Sequence, residues 1–383
     1  MSILVNDRSL LPAEGAGIAT YLDQILHNWP ESAKQQPVAY CTMRRGRKRR
    51  LAPHRPWVIQ ALADLKPPSP KLWWVHYAAW ELERAVFDRG FRKEMSCGGH
   101  AAYFEPNNLA IRLDHPTVAT LHDLSAIEHP QWHPRERVAI WESRIQQAVD
   151  QTHHWVTPSQ FTRDRAVSIL NLPPDQIQVI PEAARQLAYP GKQEIRNRLE
   201  MAGLPDRFVF CFGTLEPRKN LLTILDAYEL LGDAWSQSYL LVIAGSVGWG
   251  PADWWRKLLG HPQAENVIYA GRITDDQAAL LLAGAALVTV PSFYEGFGLQ
   301  VVEAVAAGTP VACSDIPVFK EVAGTGAFFV APEDVEAWAT MIRRIIEKEL
   351  DERVPQAHDP QVDQFGWQQA AEAHAELFDR YGN

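Results

Sequence analysis

Residues 291–310, Pro-Ser-Phe-Tyr-Glu-Gly-Phe-Gly-Leu-Gln-Val-Val-Glu-Ala-Val-Ala-Ala-Gly-Thr-Pro, constrain the fold of this chain more than any other stretch. An apolar run, Ala286-Leu-Val-Thr-Val290, precedes them and another, Val311-Ala-Cys313, follows. Runs apolar at nearly every position, rather than at alternate ones, are strands buried on both faces of a parallel sheet. The segment therefore predicts strand, loop, helix and strand, a βαβ unit. Gly296 and Gly298 let the loop turn tightly and approach a ligand, and the helix is expected from near Leu299 to Gly308, a good C-terminal residue.

Two carboxylates, Glu295 and Glu303, stand in this unit. Glu303 is the only charge on a helix otherwise made of Leu299, Val301, Val302, Ala304, Val305 and Ala306. Burying a lone carboxylate is costly unless donors meet it, and the vicinal hydroxyls of a ribose are suitable donors. The first turn also offers unpaired amides, those of Phe297, Gly298 and Leu299, to an anion above the strand ends. Together these features describe a nucleotide-diphosphate pocket. The plainer readings are a solvent-facing Glu303 and, for Glu295, an acid favoured by the helix dipole.

The pattern Glu-x7-Glu in Tyr294-Glu-Gly-Phe-Gly-Leu-Gln-Val-Val-Glu-Ala304, with Gly308-Thr-Pro-Val311 after it, resembles the donor-site signature of family 4 of the retaining glycosyltransferases. The resemblance implies an α/β GT-B fold, two Rossmann-like domains facing a central cleft. Residues 1–184 would form the acceptor-side domain, with the C-terminal helix in 365–383 packing back on it, and residues 185–364 the nucleotide-sugar domain.

Length agrees with two domains, since 383 residues exceed what one hydrophobic core usually supports. With 46% hydrophobic and 22% charged residues the composition is that of a soluble globular protein, and a net charge of −9 excludes the dominant basic field a nucleic-acid binder needs. Cys41, Cys97, Cys211 and Cys313 are widely spaced, and the last two fall in apolar runs, so they read as reduced thiols. The start is apolar for only three residues before Asn6, Asp7 and Arg8, and the uncharged run 278–294 is too short for a membrane span. A cytoplasmic protein is expected. Arg44–Arg50 is a strong basic run, either a solvated loop or a contact with an acidic acceptor or, peripherally, with anionic membrane on the inner face. Trp57, Trp73, Trp74, Tyr77, Trp80, Phe87 and Phe91 follow it as core or interfacial aromatics.

Near the start, a strand at Ile3–Val5 leads through Glu14-Gly-Ala-Gly-Ile18 to a helix-like run from Ala19 to Trp29. A glycine-bearing loop between first strand and first helix is where Rossmann-like domains approach phosphates. By resemblance Gly15 and Gly17 close over the donor diphosphate; the basic residue common before the tyrosine in that family is absent from Ala19-Thr-Tyr21. The strand Val118–Leu121 ends in His122 and Asp123, where open α/β sheets bind ligands. The resemblance gives His122 a contact with the donor sugar. A zinc site on His129 and His133 is disfavoured by Pro130 and Pro134. The run Trp155-Val-Thr-Pro-Ser-Gln-Phe predicts a strand end, an N-cap and a helix.

The second half opens with the strand Phe208–Phe212, followed by Gly213-Thr-Leu-Glu-Pro-Arg-Lys-Asn220 and a helix from Leu221 to Leu231. Cations at a helix start oppose the dipole, so Arg218 and Lys219 imply an anion, or else are surface charges. The resemblance makes them the grip on the donor diphosphate, and places the nucleotide base against the backbone near Arg272 and Ile273. It thus implies a catalytic set of His122, Arg218, Lys219 and Glu295, with Gly296, Phe297, Gly298, Leu299 and Glu303 binding the donor. No two aspartates stand two apart, so the Asp-x-Asp that metal-dependent sugar transferases use is missing, and the expectation is a retaining, metal-independent hexosyltransferase with no cofactor. Its co-substrate would be a nucleoside-diphosphate sugar, GDP-mannose by likeness to mannosyltransferase members, and its acceptor a glycan or lipid-linked glycan in polysaccharide biosynthesis. A nucleotide-sugar epimerase and a non-catalytic nucleotide-sugar-binding protein remain the alternatives.

Overall fold

The computed structural model describes residues 2–6, 16–39, 85, 87–205, 207–347, 362 and 364–381. Contacts divide them into two units, one of 1–158, 162–180 and 367–383, the other of 159–161 and 181–366. The chain thus exchanges units at Ile180/Pro181 and Gly366/Trp367, against the expected 184/185 and 364/365.

The first unit holds β1 (Ser2–Val5), α1 (Ala16–His27), β2 (Gln36–Ala39), β3 (His100–Glu105), β4 (Thr117–Thr120), β5 (His154–Thr157) and β6 (Ile177–Val179). All six strands are parallel in the order β2-β1-β3-β4-β5-β6. Gly17, expected in the loop before the first helix, is instead the second residue of α1, because that helix begins three residues earlier than its apolar spacing suggests. Gly15, Arg44–Arg50 and the five aromatics from Trp57 to Trp80 lie outside the described residues. Phe91 belongs to the core, between Phe87 and Tyr103 at centroid distances of 6.0 and 5.0 Å.

The last helix, Trp367–Asp379, packs on α1 and is pinned by a buried polar chain. The His374 Nδ1 lies 2.7 Å from the Ala370 carbonyl, which can only accept, so in the neutral ring Nε2 accepts from the Tyr21 hydroxyl at 2.8 Å. That leaves Tyr21 to accept from Thr120 Oγ1, also at 2.8 Å. Each buried polar atom of the chain is thereby met.

The second unit holds β7 (Phe208–Phe212), α2 (Leu221–Leu231), β8 (Leu240–Ala244), β9 (Val267–Gly271), α3 (Asp275–Gly284), β10 (Leu287–Val290), α4 (Leu299–Ala306), β11 (Val311–Ser314) and β12 (Phe328–Val330). Its parallel sheet runs β12-β11-β10-β7-β8-β9, which in chain order is 3-2-1-4-5-6, a doubly wound sheet. Alternate residues serve opposite cores. Phe208, Phe210, Val242, Val288 and Cys313 meet α3 and α4 on one face, while Val209, Cys211, Leu241, Leu287 and Ala312 meet α2 on the other. This is why the strands read as continuous apolar runs. Among the described residues no helix is long and apolar enough to cross a membrane.

His374 is fully buried, and burial draws its imidazole down to about 4; the Ala370 hydrogen bond opposes this and nearby His122 adds to it. Since the unfolded value is about 6.5, the group's contribution is complete above that pH and declines by about 1.4 kcal/mol per unit as pH falls toward 4. Urea unfolding of the first unit should therefore show the advantage of the native chain over a His374→Gln variant shrinking by about 3 kcal/mol between pH 6.5 and 4. Parallel stability curves would contradict this.

Candidate functional site

In a doubly wound sheet the ligand crevice opens at the carboxyl ends of the two strands whose connections leave to opposite faces. Here those strands are β7 and β10, followed by α2 and α4 on the two faces. Arg218 and Lys219 follow β7 and Glu295 follows β10, so the sheet order itself brings these expected site residues together.

Local chemistry holds the loops in register. Pro217–Lys219 forms one 3-10 turn, and the next residue, Asn220, adopts a left-handed backbone at φ 54°. Its side-chain amide donates to the carbonyls of Pro291 (3.0 Å) and Pro332 (2.7 Å), while its oxygen accepts from Thr223 Oγ1 at 2.8 Å. The Phe293 amide donates to the Arg218 carbonyl at 2.9 Å. Asparagine tolerates this conformation better than most residues and offers the donors as well.

A compact charge cluster results. Glu295, only 6% exposed, accepts from Arg218 Nη1 at 2.6 Å, from Lys219 Nζ at 2.5 Å and from Ser292 Oγ at 2.7 Å. Burial alone would raise its carboxyl; Arg218, Lys219 and the Ser292 hydroxyl outweigh that and hold it below the usual carboxylate range. Arg218 also gives Nε and Nη2 to Glu216 Oε1, at 3.1 and 2.7 Å, and Nη1 to the Tyr294 carbonyl at 2.8 Å. Its guanidinium is therefore spent on holding carboxylates. Lys219 is less committed: among the described residues Glu295 is its one hydrogen-bond partner, and an ammonium has three protons to give. The two cations and two carboxylates cancel, so an arriving anion competes with Glu295 for Lys219.

Beside Lys219 the backbone is crowded. A Cβ on Gly213, where φ is 134°, would lie 2.9 Å from Gln300 Nε2 and 3.9 Å from Lys219 Nζ. Gly298, the residue before α4, has φ 106°, and a Cβ there would stand 2.5 Å from the Phe319 ring. Both conformation and space demand glycine. It opens the first turn of α4, and among the described residues the amides of Phe297, Gly298 and Leu299 meet no acceptor. Gly296 is tied through its carbonyl to Ser159 Oγ at 2.6 Å, so that serine donates here instead of serving only as the expected N-cap.

Glu303 lies mid-helix and is 3% exposed, which excludes the solvent-facing reading. Both of its oxygens are held by Arg185, through Nε at 2.6 Å and Nη2 at 2.9 Å. Ile273 sits half-buried in the loop between β9 and α3. His122 and Gly17 belong to the first unit. The His122 Nε2 donates to the Pro106 carbonyl at 2.8 Å, its amide donates to Asn108 Oδ1 at 2.9 Å, and its ring stands edge-on to Tyr21 at 4.8 Å. Sequence reasoning missed Glu216, Asn220, Ser292 and Arg185. Ser292 is only three residues from Glu295, but Arg185 stands 118 residues from its partner, and no spacing rule links them.

Elsewhere on this unit, Asp226, Glu229 and His261 have ligand atoms close enough to share a cation. The His261 Nδ1 accepts from the Gln263 amide at 3.2 Å, which leaves the ring proton on Nε2, directed at Asp226 Oδ1 at 2.9 Å. That tautomer caps a 3-10 turn and has no lone pair left for a metal.

The comparisons with known proteins bear on this geometry. A model described as glycosyl transferases group 1 matches residues 192–359, and one described as glycosyltransferase family 4 matches residues 15–183. O-antigen chain mannosyltransferase B of Escherichia coli is 30% identical over 272 residues, 70% of this chain and 71% of that protein. The chain belongs to the family 4 glycosyltransferases. O-antigen chain mannosyltransferase RfbU of Salmonella typhimurium is 25% identical over 291 residues, 76% of this glycosyltransferase and 75% of the relative. Two solved structures share the fold. Sucrose-phosphate synthase from Thermosynechococcus elongatus has a TM-score of 0.73 at 20% identity over 99% of this chain and 98% of its own. Anabaena HepE in complex with UDP-glucose has a TM-score of 0.70 at 17% identity over 99% and 100%. The two-domain GT-B architecture and a transferase are thus established, and the epimerase and silent-binder alternatives give way.

Removing the Glu295 carboxylate would leave Lys219 without its partner in a mostly buried cluster. In phosphate-free buffer Glu295→Ala should cost the second unit about 3 kcal/mol, and millimolar pyrophosphate should return part of the lost melting temperature. An unchanged melting point, or one indifferent to pyrophosphate, would contradict the account of the cluster.

Proposed function

We propose that this glycosyltransferase moves mannose from GDP-mannose to a glycan or lipid-linked glycan acceptor, with retention of the anomeric configuration and without a metal ion. The observation that carries this reading is the pairing, at one switch point, of a partly committed lysine with the open amide end of α4. Charge builds on the diphosphate as the bond from the sugar's anomeric carbon to phosphate oxygen breaks. Lys219 and the amides of Phe297, Gly298 and Leu299 are preorganised donors for that charge. Arg218 acts by holding Glu295, which is freed to take sugar hydroxyls as the diphosphate draws Lys219 away. His122, at the carboxyl end of β4, supplies a contact to the donor sugar, and Glu303 accepts from the ribose. Gly15 and Gly17 serve the diphosphate from the segment before and within the first turn of α1.

Retention is expected from the family resemblance, by a displacement on one face of the sugar. In this reading Glu295, still held by Arg218 and Ser292 after Lys219 turns to the diphosphate, accepts from sugar hydroxyls and forms no bond to the anomeric carbon. The acceptor oxygen attacks from the face the phosphate leaves, and its proton passes to the departing phosphate oxygen. The products are a glycoside of unchanged anomeric configuration and a nucleoside diphosphate. Mannose as the sugar is supported by the mannosyltransferases among the relatives. The basic run Arg44–Arg50 is carried as a contact for the inner membrane face, where lipid-linked acceptors reside.

Lys219→Ala should lower kcat by about 100-fold or more at saturating GDP-mannose, and wild-type turnover should survive excess EDTA. NMR of the product should report the α-anomer, as in GDP-α-mannose. Unaltered kcat at saturating donor removes the lysine's role; loss of activity in EDTA restored by a divalent ion, or a β-linked product, overturns the metal-independent retaining mechanism.

A further inference from the structure

Arg185 stands on the segment that opens the second unit, and the transfer chemistry above makes no use of it. Its side chain spans two parts of the nucleoside end of the site. Through Nε and Nη2 it grips both oxygens of Glu303, and through Nη1 it reaches Asp275 Oδ1 at 2.7 Å, at the start of α3 and two residues beyond Ile273. Guanidinium and carboxylate form a planar fork, which fixes the plane of the carboxylate as a single lysine contact would not.

The fork leaves Glu303 able to receive a ligand. An ionised carboxylate has about four acceptor positions, and Arg185 takes two. The remaining two keep fixed directions, suited to two adjacent hydroxyls. Close by, the Tyr189 hydroxyl is buried and has no hydrogen-bond partner among the described residues. Burial, Glu303 and, in opposition, Arg185 together push its phenol up to about 12, so it is a neutral donor at physiological pH. A buried donor left unmet is unfavourable, and this one marks the surroundings of the Glu303–Arg185 pair as a place where a polar ligand completes the hydrogen bonding.

We infer that Arg185 is a positioning residue for the nucleoside of the donor: by holding Glu303 in one plane and tying it to the start of α3, it sets the enzyme's preference for ribonucleotides over deoxyribonucleotides. The inference rests on the reading of Glu303 as the ribose acceptor. Arg185 touches neither the sugar nor the breaking bond, so its loss acts on donor binding and spares the chemical step.

The full-length enzyme is titrated calorimetrically with GDP and UDP, each beside its 2′-deoxy counterpart, and with pyrophosphate. The wild type should bind the preferred ribonucleotide about tenfold more tightly than its deoxy form. Arg185→Gln should weaken that ribonucleotide by tenfold or more, bring the ribo/deoxy ratio to within twofold of unity and leave pyrophosphate unaffected. In turnover it should raise the donor KM with kcat within twofold, and Arg185→Lys should restore little of the ratio. Should Arg185→Gln fail to fold because Glu303 is left unpaired, Arg185→Lys, which keeps a cation beside Glu303 but cannot form the fork, takes its place with the same expected ratio. A wild type that binds both forms equally refutes the ribose role of Glu303, and the inference with it. A wild type that discriminates, beside an Arg185→Gln or Arg185→Lys variant that discriminates as well, overturns the role of Arg185 alone.

Discussion

The site depends on one electrostatic arrangement, the neutral cluster of Glu216, Arg218, Lys219 and Glu295 at the point where the second sheet reverses its winding. Four charged groups can be buried together only because each meets an opposite partner with good geometry. Arg218 satisfies two carboxylates at once, and Glu295 bridges the two cations. The cluster is therefore balanced within itself, and in the proposed reaction Lys219 exchanges Glu295 for the diphosphate.

The scaffold around the cluster explains how so little chain positions it. Parallel strands with both faces buried leave only their ends for polar chemistry, and the switch point brings the ends of β7 and β10 side by side. Asn220 then stitches the two loops through the Pro291 and Pro332 carbonyls. Gly298 opens α4 at an angle no other residue allows, with Phe319 packed where a side chain would be. Backbone conformation, packing and charge thus meet within a few residues of Glu295.

Much of this was legible in the sequence because it is local or periodic. The unbroken apolar runs announced parallel strands; α2 and the start of α4 fell where they were expected. Glu295, Arg218 and Lys219 could be named because short motifs carry them. Their partnership could not, since a sequence says that cations await an anion but not that the anion is a glutamate from the loop after a neighbouring strand. Arg185 was illegible for the same reason, standing 118 residues from the glutamate it holds. Gly17 was misplaced because a glycine before an apolar stripe looks like a loop, whereas the backbone had already entered α1. The buried chain of Tyr21, Thr120 and His374 joins residues 353 apart, and no pattern forecasts it.

The proposed mechanism gives the leaving diphosphate one location, at the ends of β7 and β10. An experimental structure of the enzyme with GDP bound tests this most directly. The β-phosphate should lie within hydrogen-bond reach, about 3 Å, of Lys219 Nζ and of amides among Phe297, Gly298 and Leu299, with Glu295 no longer bonded to that lysine. A diphosphate bound away from the ends of β7 and β10, with the Lys219–Glu295 pair undisturbed, would contradict it.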